Sequence, residues 1–89
     1  MINLQVYHFI NNYKKGEIES LDKKINIIYR DYDEQIRESD IRNIRDECKK
    51  TGKKFYISNN IRIAKKLKLD GIYIPSFNNS LKLINNDNL

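Results

Sequence analysis

Residues 4–10 (LQVYHFI) form a short apolar run with aromatics that stops at Asn11-Asn12, and the run predicts a first strand. Residues 14–24 are polar apart from Ile18 and Leu21, a spacing of three that permits one weak helix. Residues 25–29 (INIIY) are nearly continuous β-branched and aromatic sequence, the pattern of a strand covered on both faces of a parallel sheet. Next, Ser39 is placed to cap a helix whose Ile41, Ile44 and Cys48 share one stripe, with Gly52 just past its Lys49-Lys50 end. A third strand follows at residues 55–57. Asn59 or Asn60 then begins a short helix with Ile63, Ala64 and Leu67 facing inward. Gly71 opens a fourth strand, residues 71–74, which Pro75 ends.

The order is β-α-β-α-β-α-β, with crossovers long enough for parallel pairing, so the pattern predicts one α/β layer or barrel of about four parallel strands with three intervening helices. Residues 1–79 make a single domain on this reading. Residues 80–89 form a poorly ordered tail, of which only 80–84 are expected to be helical, because residues 78–89 carry five Asn. Right-handed crossovers bring every strand-to-helix loop to one end of the sheet. Asn11 and Asn12, residues 30–33, residues 58–60 and residues 76–78 therefore share a rim, the place where α/β folds bind ligands.

Eighty-nine residues exclude a complete (β/α)₈ barrel, which takes about 250. Seventeen basic against twelve acidic residues give a net charge of +5, compatible with phosphorylated ligands, nucleic acid or plain solubility. Heavy use of Ile, Asn and Lys looks like AT-rich coding and accounts for much of that basicity. Lys49, Lys50, Lys53 and Lys54, and Lys65, Lys66 and Lys68, are read as solvated faces, so nucleic acid is not an expected partner. The single cysteine, Cys48, has no disulfide partner and sits on an apolar stripe, which makes it a structural thiol in a reducing compartment. No basic start followed by an apolar run opens the chain and no long apolar stretch interrupts it. A soluble, cytoplasmic protein without a membrane partner is expected. By alternation His8 lies on the same side of the first strand as Leu4, Val6 and Ile10, and it is expected to be packed there rather than to act as a base.

At the rim, Arg30 sets a planar guanidinium at a strand end, where it can hold a phosphate by two parallel hydrogen bonds or else pair with Asp31 or Asp33. Ser58-Asn59-Asn60 offers hydroxyl, amide and backbone N–H groups to an anion, or simply caps the next helix.

From about residue 25 to residue 78 the chain resembles thiamine phosphate synthase and its TenI relatives. The likeness is carried by IIYRDYD (27–33) and by KFYISNNIRIAKKLKLDGIYIPSFN (54–78), in which Ala64 and Asp70-Gly71-Ile72 fall at the family's spacing. The resemblance implies a partial TIM-type barrel and a transferase of thiamine biosynthesis, joining a pyrimidine diphosphate to a thiazole phosphate with Mg²⁺ on the departing pyrophosphate. It implies substrate-binding roles for Arg30, Ser58 and Asn59, and metal positions at Asn59 and Asn78. Both metal positions are Asp in the family, and a pair of amides lacks the two negative charges a hard cation prefers. Ile28 and Tyr32 likewise stand where the family usually has Gln and Lys. The loops that would hold the thiazole phosphate belong to a second half absent from these 89 residues. Catalysis by this chain alone is therefore not expected, and a noncatalytic half-barrel interaction module, or a remnant of the family, is the alternative. Four strands cannot close a barrel, so a homodimer covering the free edges and one sheet face is expected.

Overall fold

The computed structural model describes residues 6–30, 37–74 and 82–89. Strand β1 (Val6–Ile10), helix α1 (Glu17–Ser20), β2 (Ile25–Tyr29), α2 (Glu38–Thr51), β3 (Phe55–Ser58), α3 (Ile61–Lys66) and β4 (Gly71–Ile74) follow the anticipated order. The strands pair in chain order, β1-β2-β3-β4, and all three of those pairings are parallel. The protein is thus an α/β fold built on a mostly parallel sheet.

The apolar stripes explain where the helices lie. Ile18 of α1, Ile41, Ile44 and Cys48 of α2, and Ile63 and Ala64 of α3 join Ile10, Ile27, Tyr29, Phe55, Ile57 and Ile72 in one buried cluster. All three helices therefore cover the same face of the sheet, the outcome of right-handed crossovers between strands laid side by side in order. β2 is buried on both faces, with Ile27 and Ile28 wholly inaccessible. Helix α2 ends at Gly52, whose φ of 72° lets the Lys53 N–H reach the Cys48 carbonyl at 2.8 Å. Among the described residues, no helix is long and apolar enough to cross a membrane.

Several expectations need correction. Ser39 does not cap α2; the cap is Arg37, without a side-chain hydrogen bond, and Ser39 lies in the first turn. His8 is exposed rather than packed, with its Nε2 3.6 Å from Glu17 Oε1. Lys53 is buried instead of solvated, because its Nζ donates to the carbonyls of Leu21 (3.2 Å) and Asp22 (2.7 Å) and pins the turn before β2.

The largest departure is in the expected tail. Lys82–Asn85 is a fifth strand, β5, rather than a helical turn, and it pairs antiparallel with β4. A 3₁₀ turn at Asn86–Asn88 follows, and Leu89 packs against the core, so residues 82–89 are not a loose end. Asn86 holds this segment in place: its Nδ2 donates to the carbonyls of Leu69 (2.7 Å) and of Ala64 (2.9 Å), the latter also accepting from the Leu69 N–H. Gly71 makes the pairing feasible, since any Cβ there would collide with the Ile84 carbonyl oxygen.

Candidate functional site

The face opposite the three described helices carries a second cluster: Ile28, Tyr56 and Tyr73, with Tyr7 and Leu83 packed against them. Ile28 is fully covered, Tyr56 is 3% and Tyr73 9% exposed. These three residues of the face expected to lie bare are thus buried. Phe9 and Tyr73 meet edge to face with ring centres 5.5 Å apart, although they belong to β1 and β4. In a flat sheet those strands stand three spacings, roughly 14 Å, apart, so the two side chains arch toward each other across β2 and β3.

Arg30 completes that arch. It lies one residue past β2, its N–H donates to the Ile10 carbonyl at 2.8 Å, and its guanidinium carbon stands 5.2 Å from the Phe9 ring centre and 5.9 Å from that of Tyr73. A cation over two aromatic faces is attracted by both ring quadrupoles. Beside it, Phe9, Ile10, Asn11 and Arg30 line a cavity of about 270 Å³ at the carboxyl ends of the strands.

Ser58 closes β3 opposite Tyr73, one position beyond the Tyr29–Ile57 pair, and so stands level with Arg30. Asn59 turns the chain with φ of 50° and donates its N–H to the Tyr73 carbonyl at 2.9 Å, leaving its side chain exposed. Asn60 takes the capping role, its Oδ1 accepting from the Ile63 N–H at 3.0 Å. Arg30 and Ser58 are therefore brought into one row, with Asn59 beside it. Asn78 lies outside the described residues. Of the metal pair that the family likeness implies, one neutral amide, Asn59, remains to be tested. Among the described residues no group of three or more His, Cys, Asp or Glu gathers to hold a metal ion. A lone neutral amide falls short of the oxygen set that Mg²⁺ takes from protein.

Phe9 and Tyr73 carry no site motif in the sequence. Alternation along β1 puts Phe9 opposite His8, which was the available signal, but nothing in a linear pattern joins strands one and four. Cys48 is no nucleophile: burial, then the Asp70 carboxylate, push its thiol up to about 12, against a smaller opposite effect of Lys53. Toward the other end of this face, Tyr7 and Tyr56 meet edge to face at 6.3 Å, and burial raises the phenol of each above its ordinary value.

Comparison of the chain with family models, with curated proteins and with solved structures finds no match. What fold and site define together is a class, an α/β protein with an arginine-aromatic cradle at the carboxyl rim of its sheet.

Proposed function

We propose that the rim binds a phosphorylated small molecule with a planar ring, such as the phosphorylated pyrimidine used by the thiamine phosphate synthase family that the sequence resembles. The observation that carries this reading is the position of the Arg30 guanidinium against Phe9 and Tyr73 at the mouth of a strand-end cavity. Arg30 supplies charge to the phosphate, Ser58 and Asn59 supply polar groups beside it, and the exposed edge of Phe9 supplies a surface for a ring. Strands paired in chain order under helices on one face are also how successive βα units sit in a TIM-type barrel, which supports the half-barrel reading. Calorimetric titration with hydroxymethylpyrimidine diphosphate, with and without Mg²⁺, tests the proposal. Saturable binding by the wild type that falls at least tenfold in Arg30→Ala is expected. Equal affinity in both, or no heat at all, overturns it.

A second reading is favoured by β5. It occupies the outer edge of β4, where the next parallel strand of a barrel would pair, so the chain suits a self-contained, noncatalytic module better than an interrupted enzyme. Purified protein that couples the two thiamine precursors would refute this reading.

A further inference from the structure

At the end of the sheet opposite the rim, the starts of β3 and β4 and the end of β5 border an open polar cavity of about 460 Å³, with Lys54, Lys68, Asp70, Asn85 and Asp87 exposed along it. Its frame is made of groups already engaged. The Lys54 N–H donates to Asn26 Oδ1 at 3.0 Å, the Phe55 N–H to Asp70 Oδ2 at 2.7 Å, and the Asn86 N–H to the Asp70 carbonyl at 2.8 Å. Around that frame stand groups that the fold does not use. Within the described residues, the ammonium groups of Lys54 and Lys68, the carboxylate of Asp87 and the side-chain amide of Asn85 line the cavity and make no hydrogen bond or ion pair.

Lys68 adds an independent observation. It occupies the C′ position of α3, with Leu69 N–H on the Ala64 carbonyl (2.9 Å) and its own N–H on the Lys65 carbonyl (3.3 Å), and its φ is 55°. Glycine is the usual occupant of that left-handed position because a Cβ is strained there. The chain places a lysine at a conformational cost, and the side chain so placed lines the cavity without serving the fold.

We infer that this cavity binds a small net-neutral zwitterion of the α-amino-acid class. Lys54 and Lys68 hold its carboxylate, and Asp87 with the second oxygen of Asp70 holds its ammonium. The charge pattern selects this class: a simple anion meets Asp70 and Asp87, a simple cation meets the two lysines, and a ligand bearing both signs satisfies all four. A volume at the lower end of the range for small-molecule sites suits such a ligand. Tyr56, buried on the adjoining face, forms part of the wall.

The test is an amide-resolved NMR titration of the full chain with serine and with glutamine, set against acetate and methylammonium at matched ionic strength. Both amino acids should shift the amides of Lys68, Asp70 and Asn86 saturably and leave Arg30 and Asn59 in place. The two single-charge probes should do neither at equal concentration. Lys68→Gly, which suits the turn and keeps the dispersed spectrum, should weaken binding at least tenfold, and Asp87→Asn should do the same without touching the turn. No response to either amino acid overturns the inference, as does a response to acetate equal to that to serine, or wild-type affinity in both variants.

Discussion

At the residue scale, two backbone positions carry opposite lessons. Gly71 is required because β5 passes so close that any side chain would strike the Ile84 carbonyl oxygen. Gly71→Ala should therefore cost about 2 kcal/mol or more by urea unfolding, with the loss traced to undocking of β5. Lys68 is the converse, a side chain where none is wanted. Replacing it by glycine should raise stability by about 0.5–1 kcal/mol, since a left-handed L-residue costs about 1–2 kcal/mol and the entropy glycine loses on folding returns part of it. Cys48 is a third case. Its thiol, pushed up to about 12, should resist a disulfide reagent at pH 8 in the folded protein and react at the rate of a free thiol once urea opens the core.

At the scale of elements, helices α2 and α3 are tied by polar contacts laid over their apolar stripes. Arg45 donates to the Leu67 carbonyl at 3.1 Å, and Lys66 Nζ donates to Glu38 Oε1 at 2.9 Å. The hydrogen bond from Lys66 holds the Glu38 carboxyl below its ordinary value. A carboxyl lowered in the folded state stabilises above its unfolded value of 4.5 and loses that contribution as pH falls through the folded value. The acid limb of the stability curve below pH 4.5 should thus flatten in Lys66→Ala; because the pair is exposed, the effect should also shrink in salt. Asn86 ties β5 to the end of α3. Asn86→Ala should cost about 1–3 kcal/mol, because it takes the Asn86 donor from the Leu69 carbonyl and leaves the Ala64 carbonyl with the Leu69 N–H alone.

The elements that could be read in advance were those with their own periodicity. The INIIY run, the Ile41-Ile44-Cys48 stripe and the Gly52 stop all state their role locally. β5 could not be read in this way: KLIN is four residues long, half exposed and flanked by Asn, and it becomes a strand through the β4 edge and the bare Cα of Gly71. Lys53 was misjudged for a similar reason, since its carbonyl partners come from a turn thirty-one and thirty-two residues earlier. At the site, Arg30 was legible as a fixed cation at a strand end, but its two aromatic neighbours come from the first and fourth strands, and only the folded sheet brings them together.

For the whole molecule, the sheet separates two apolar clusters of unequal size, a large one beneath three helices and a small aromatic one on the other face. The expected need for a partner changes with this. The edge of β4 is covered by β5, and Ile28, Tyr56 and Tyr73 of the aromatic face are buried, but Val6 (49%) and Phe9 (41%) remain exposed on the outer strand β1. We propose that self-association, where it occurs, runs through β1. Sedimentation equilibrium should then show a dimer that Phe9→Ser weakens; a wild-type protein that is monomeric at high micromolar concentration would contradict this.

The pairing of strands in chain order has a consequence for synthesis. Each strand from β2 onward docks on the neighbour that left the ribosome just before it, so no strand has to be threaded between two already joined. Assembly can proceed vectorially, one βα unit at a time, and at every stage the newest strand is an unsatisfied template for the next. β5 reverses direction and so covers the edge of β4 on which a further parallel βα unit would dock. A nascent chain halted after Ile74 would still present the open side of β4, so arrested chains of that length should be held by chaperones or aggregate, while chains extended through Leu89 should be released.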